Sequence, residues 1–155
     1  MTGEGAETRA RYNFGMNGTP FISDRGPEPV GAYPHARRVG DLLFVSGIGP
    51  RKRGQKAIPG TTLDAAGNVV DYDVTVECRQ VFENIRVILE DAGAKWENIV
   101  DVTSFLTDMK RDFAAYNKAY EEAFGHVRPT RTTVEVKSLP TAIHVELKVV
   151  AWVGG

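Results

Sequence analysis

A single cysteine, Cys78, is present in 155 residues. One thiol cannot close an intramolecular disulfide, and it leaves no C-x-x-C pattern for zinc. Histidine is scarce as well: His35, His126 and His144 stand far apart with no metal-ligand spacing, so no metal site is expected. No apolar run reaches the ~18 residues of a membrane-spanning helix. The first residues, Thr2 to Ala6, carry no apolar secretion segment, so a cytoplasmic protein with no membrane partner is expected. An excess of one charge is also missing: 19 Lys and Arg stand against 20 Asp and Glu, a net charge of -1. A phosphate backbone calls for a basic surface, so nucleic acid is a poor match as the main partner. What is there is ordinary for one globular domain, 42% hydrophobic and 25% charged.

Residues 1–30 are rich in Gly, Pro, Asn, Ser and Thr without a sustained period, which suggests an extended N-terminal arm ahead of a domain spanning 31–155. Tyr33 to Val39 and Leu42 to Val45 read as strands around a turn at Gly40 and Asp41. A basic loop, Arg51 to Lys56, follows, and then a turn at Asp64 to Asn68. The clearest helix runs from Val74 to Ala92, with Cys78, Val81, Phe82, Ile85, Ile88 and Leu89 on one face. Asp73 is placed to cap its start and Gly93 to end it. Ile99 to Thr107 reads as a strand. Asp112 is placed to cap a second helix carrying Phe113, Tyr116, Tyr120 and Phe124 on one face, with Gly125 as its stop.

Two strands close the chain, Arg131 to Lys137 and Ile143 to Val153. In the second, Val145, Leu147, Val149 and Ala151 alternate with Glu146, Lys148, Val150 and Trp152. A period of two places these sets on opposite faces. The first set suits a core under the helices, while Val150 and Trp152 are too apolar for a solvated face. The order predicts an α+β domain with both helices on one side of a mixed sheet, and self-association to cover the other.

The run Arg128, Pro129, Thr130, Arg131, Thr132, Thr133, Val134, Glu135, Val136, with Leu139, Pro140 and then Val145, Glu146, Leu147, resembles the C-terminal signature of the Rid/YjgF family. Gly31, Ala32, Tyr33, Pro34 and Phe44, Val45, Ser46, Gly47 resemble two earlier motifs of that family, in the right order. The resemblance implies a chorismate-mutase-like fold, a homotrimer with clefts between subunits, and hydrolysis of enamines and imines to ketones plus ammonia without a metal or organic cofactor. Within the family, Tyr33-Pro34-His35 and Thr130-Arg131-Thr132-Thr133-Val134 look most like the 2-aminomuconate deaminase branch, although Ile48-Gly49-Pro50 differs from the small polar residues of that branch.

The resemblance also assigns roles. Arg131 falls at the carboxylate clamp, where a guanidinium grips both oxygens and stays charged at any working pH. Glu146 falls where an acid orients and deprotonates water. Gly47 offers a backbone N–H that a ligand can approach closely, with Ser46 beside it. Tyr33 is placed to cover the substrate, and Asn117 occupies a polar position of the second helix. Thr133 stands where many relatives carry Cys, which removes thiol chemistry there. Cys78, on the core face of the first helix, does not replace it. Aminomuconate has a carboxylate at each end, so Arg51, and after it Arg53, is a candidate for the far one; a solvated basic loop is the plain alternative. The expected reaction converts 2-aminomuconate to 4-oxalocrotonate (2-hydroxymuconate as its enol) plus ammonia, in degradation of tryptophan-derived or aromatic amine compounds. A broad deaminase of small imino acids such as 2-aminoacrylate, and a non-catalytic trimeric carboxylate-binding module, are the alternatives.

Overall fold

A computed structural model of the chain describes residues 18–155. Its main sheet has six strands in the order β1-β2-β3-β8-β6-β7: β1 (Thr19–Phe21), β2 (Ala36–Val39), β3 (Leu42–Val45), β6 (Ile99–Leu106), β7 (Thr130–Glu135) and β8 (Val145–Trp152). β4 (Thr61–Leu63) and β5 (Val69–Tyr72) form a separate hairpin whose turn is closed by the Asp64 carboxylate, which accepts from the Ala66 and Asn68 N–H groups. All pairings in the main sheet are antiparallel except β6 with β7. That parallel pair requires a crossover, which α2 (Met109–Phe124) supplies. α1 (Val74–Asp91) and α2 pack side by side on one face, the expected α+β arrangement.

Local chemistry explains the helix ends. Asp73 accepts from the Thr75 and Val76 N–H groups, and Gly93 takes the left-handed φ of 82° that ends α1. The start of α2 is a correction: Asp108, not Asp112, is the cap, accepting from the Arg111 N–H. The Glu135 side chain takes the Met109 N–H, so two orphan donors of the first turn are satisfied. Asp112 is buried inside the first turn instead, and Phe113 is exposed, so the inward face of α2 is Asp112, Tyr116, Ala119 and Phe124.

The alternation in β8 is realised. Val145, Leu147, Val149 and Ala151 are fully buried beneath α1 with Val81, Ile85, Ile88 and Leu89. The opposite face carries Val39, Leu42, Phe44, Val134 and Trp152, all substantially exposed, so one face of the sheet is an apolar surface left uncovered by the described residues. Cys78 is buried, and burial pushes its thiol up to about 12.

The stretch before Val30 is more structured than an arm without strands. β1 pairs with β2, and a strap at residues 23–28 is tied down on several sides. Ser23 Oγ and Arg25 Nε both donate to Asp91 at 2.6 Å. The buried His35 accepts the Ser23 N–H at Nδ1, so Nε2 carries the proton and donates to the Pro27 carbonyl at 2.7 Å. The rest of the expected arm, residues 1–17, lies outside the described residues. β2 begins at Ala36 rather than Tyr33, because Pro34 has no N–H for a ladder and Tyr33 N–H turns back to the Gly31 carbonyl. No helix among the described residues is long and apolar enough to cross a membrane.

Candidate active site

Two separate groups hold the residues singled out by sequence. The first lies where β3 ends. The Ser46 N–H donates to the His35 carbonyl, and Ile48 exchanges both backbone hydrogen bonds with Leu147 of β8. This lays Gly47 against Glu146. A Cβ on Gly47 would meet the Glu146 carboxyl, so any larger residue here would push that side chain aside. The Gly47 N–H has no acceptor among the described residues. Glu146 is half-buried with no hydrogen bond or ion pair among the described residues, and burial raises its pKa above the ordinary glutamate value. A small cavity next to it is walled by Tyr33, Ser46, Gly47 and Arg51, with Pro27, Glu28 and Pro29 of the strap as its lid. Ser46 Oγ is committed to the Pro34 carbonyl at 2.7 Å, and Tyr33, largely exposed, accepts the Val30 N–H.

The second group lies at the far edge of the sheet. Arg131 on β7 donates from Nη1 to Asn117 Oδ1 of α2 at 2.9 Å, and its guanidinium sits 4.6 Å from the Tyr120 ring centroid. Tyr116 donates to the buried Ser104 at 2.6 Å, and Thr133 Oγ1 lies 3.4 Å from the same phenol oxygen. Burial lifts the Tyr120 phenol to about 12, and its hydroxyl has no partner among the described residues. Arg131, Asn117, Tyr120 and Arg128 line an open pocket of about 510 Å³.

Within one chain these groups do not meet. Val102 of β6 pairs with both Arg131 and Val149, and Phe105 pairs with both Val134 and Glu146. Arg131 and Glu146 are therefore two strands apart across the sheet and three residues apart along it. At ~4.8 Å between strands and ~3.3 Å per residue, their Cα atoms are on the order of 14 Å apart. Their side chains also leave opposite faces: Arg131 reaches α2, whereas Glu146 lies on the apolar face away from the helices. No one small molecule spans them in a single chain.

The two candidate distal cations differ. Arg53 donates to the Gly26 and Ser23 carbonyls at 2.8 and 3.0 Å and pairs with the Glu28 carboxylate, so its whole head is occupied in holding the strap. Arg51 makes one bond, from Nη2 to the Glu28 carbonyl at 2.7 Å, and lines the cavity at Gly47.

Sequence reasoning missed three supports. Asn84 of α1 is buried and donates to the Gly49 and Arg51 carbonyls at 2.9 and 2.8 Å, fixing the loop that carries Arg51. The Tyr116–Tyr120 platform carries Arg131. Glu77, also fully buried, accepts from Thr61 Oγ1, from the His144 N–H and from His144 Nδ1, each at 2.9 Å. The His144 ring lies flat on Tyr72 at 3.5 Å, and Tyr72 donates to Asp112, whose pKa burial raises. This network anchors β8 two residues before Glu146. Its signal was a polar residue on an apolar stripe: Glu77, Val81, Asn84 and Ile88 recur at spacings of four and three. No group of three or more His, Cys, Asp or Glu able to hold a metal exists among the described residues.

Comparison with known proteins adds the relatives. Residues 23–153 match the family described as endoribonuclease L-PSP. A RutC family protein of Pyrococcus abyssi is 37% identical over 132 residues, covering 85% of this chain and 94% of its own. The YjgF gene product of Escherichia coli superposes with a TM-score of 0.73 at 28% identity, over 86% of this chain and 98% of its own. TdcF of Escherichia coli, solved with bound serine, gives the same TM-score, identity and coverage.

Proposed function

Since the chain belongs to the endoribonuclease L-PSP family, which includes the YjgF, Rid and RutC proteins, we propose that it hydrolyses 2-imino and enamino acids, with 2-aminomuconate as its substrate, in sites completed between neighbouring copies of the chain. The observation that carries this reading is Glu146: a half-buried carboxylate of raised pKa beside the Gly47 N–H, neither with a partner among the described residues. A buried charged group without a partner is costly, and such groups cluster where chemistry needs them. The serine held by TdcF supports a small amino-acid-like ligand.

Assembly solves the geometric problem. The exposed apolar face of Leu42, Phe44 and Trp152 is the surface that packing of copies, as a trimer, would bury. The Arg131 group of one copy, at the β7 edge, then completes the Glu146 group of the next. Arg131, aimed by Asn117 and Tyr120, holds the carboxylate beside the imine; the Gly47 N–H adds a donor, and Tyr33 covers the pocket. The enamine first takes a proton at carbon to become the iminium. Glu146 accepts a proton from water as the water oxygen bonds to the iminium carbon. Glu146 passes that proton to nitrogen; the C–N bond then breaks as the new hydroxyl gives its proton to Glu146, and ammonia leaves a ketone, 4-oxalocrotonate from 2-aminomuconate. Every bond change is a proton transfer or an addition–elimination at one carbon. Arg51, with most of its N–H groups uncommitted, is the candidate for the distal carboxylate; Arg53 stands behind it, since strap contacts occupy its head.

The family's descriptive name points to RNA. A net charge of -1 argues against it, as do Arg25, Arg86 and Arg111, which are tied into ion pairs with acidic neighbours. The test is ammonia release from enzymatically generated 2-aminomuconate, run beside 2-aminoacrylate. Turnover of the dicarboxylate by the wild type and loss in Arg131→Ala is the expected result. Undiminished turnover by Arg131→Ala contradicts the clamp, and preference for 2-aminoacrylate moves the reading to a broad imine deaminase.

A further inference from the structure

Arg51 borders a second cavity as well as the one at Gly47. This cavity, about 440 Å³, lies between residues 51–63 and the loop that enters β8. Its walls combine two chemistries. Ile58 and Leu63 give an apolar floor, and Leu63 is about half exposed, with no protein cover. Arg51 and Lys56 supply positive charge, and no carboxylate lines the cavity. Lys56 has no hydrogen bond or ion pair among the described residues, and Arg51 has only the Glu28 carbonyl. The Glu28 carboxylate pairs with Arg53 and also feels the charge of Arg51, so Lys56 is the cation of this cavity that has no acidic neighbour among the described residues.

The walls are also held in place from behind. Asn84 grips the Arg51 carbonyl, and Thr61, on the β4 side, is bonded to the buried Glu77. Across the cavity, Thr141 is fixed at a φ of 65°, a left-handed conformation that a β-branched residue adopts only when its surroundings impose it. Exposed apolar surface, the unpaired Lys56 cation and imposed backbone strain converge on one concavity that the chemistry at Glu146 does not use.

We infer that this cavity is a remote-end subsite: it receives an apolar chain ending in an anion, anchored by Lys56 with Arg51 at the threshold, and so selects elongated acids over short ones. This rests on the reading of Glu146 and Gly47 as the reacting end. It goes beyond that reading in naming Lys56, Leu63 and Thr141 as the parts that measure substrate length.

Inert α,ω-dicarboxylates test it without turnover. Binding of succinate, adipate and suberate is measured by calorimetry on the wild type, Lys56→Ala, Lys56→Arg and Arg131→Ala. The wild type is expected to bind suberate at least about tenfold more tightly than succinate, the size of one added charge-assisted contact. Lys56→Ala removes that dependence on length, Lys56→Arg keeps it, and Arg131→Ala weakens all three acids alike. Equal affinity at every length in the wild type, or an undiminished gradient in Lys56→Ala, overturns the subsite. The two readings fail separately. A Lys56-dependent gradient without ammonia release from any enamine leaves the subsite standing and removes the deaminase, whereas turnover indifferent to length and to Lys56 does the reverse.

Discussion

The Arg131 guanidinium donates to Asn117 and rests on the Tyr120 ring, whereas the Glu146 carboxylate, equally part-buried, has no partner among the described residues. One charged group is aimed and solvated by protein before any ligand arrives; the other is left with the Gly47 N–H and an apolar neighbourhood. A clamp works best when it is already aimed, because it must present two donors in one plane. A base gains from poor solvation, because that raises its affinity for a proton. One chain thus finishes the two halves to different degrees, and in the proposed shared site the Glu146 half is the one a neighbouring copy would complete.

The largest expected effect breaks both halves at once. Arg131→Ala and Glu146→Gln should each lower kcat/KM for 2-aminomuconate by about a hundred- to a thousandfold. Refolding the two inactive proteins together should return activity, since about a quarter of the shared sites then pair an intact Arg131 with an intact Glu146. Steady-state ammonia release reads it, and no recovery in the mixture would overturn a site shared between copies.

Next in size is the anchor behind Glu146. Glu77→Gln removes a buried carboxylate that takes three hydrogen bonds from Thr61 and His144. A cost of about 3 kcal/mol is expected, on the order of 10 °C in Tm by calorimetry. A similar change at Glu97, an exposed acid on the far surface, should leave Tm unmoved.

Glu146 itself should show the opposite sign. Its folded pKa is raised, so the ionised form is disfavoured in the folded state and the folded chain is less stable above that pKa than with a neutral group there. Glu146→Gln should raise Tm by roughly a few °C near neutral pH. The advantage should vanish as pH falls below the ordinary glutamate value of about 4.3. A lower Tm in the variant would mean that a neighbour's cation already sits on the carboxylate. In the wild type, kcat/KM should fall on the acid side with a midpoint above that same ordinary value of about 4.3.

The smallest effect is at Thr133. Its hydroxyl lies 3.4 Å from the Tyr116 phenol, longer than a strong hydrogen bond. Thr133→Cys should change kcat/KM by less than about threefold, equivalent to about 0.6 kcal/mol.

Elements with a strong period were legible in the sequence. The Asp73 cap, the apolar stripe of α1 and the alternation of β8 each follow from a local rule, and each is present in the structure. The start of α2 was not, because Asp108 and Asp112 stand one turn apart and both suit a cap; only burial of Asp112 against Tyr72 decides between them. β1 was missed because three residues with Pro20 at their centre show no period, and pairing with β2 creates the strand. The chemistry of Arg131 and Glu146 was suggested by their motif. Their separation was not, because it depends on β6 lying between β7 and β8, a long-range pairing. Asn84 and Glu77 interrupt the apolar stripe of α1 in the sequence, but the loop and the strand they hold come from distant parts of the chain, so their partners were not legible.

The short β1 has a consequence for handling the protein. Its three residues cover β2, and Pro20 at the centre has no N–H to offer a passing strand. A chain trimmed to begin at Gly31 would uncover the longer edge of β2 and also lose the strap that ties to Asp91 and Arg53. Such a truncation should clump through sheet edges on concentration, even though Tyr33, Gly47, Arg131 and Glu146 would all still be present.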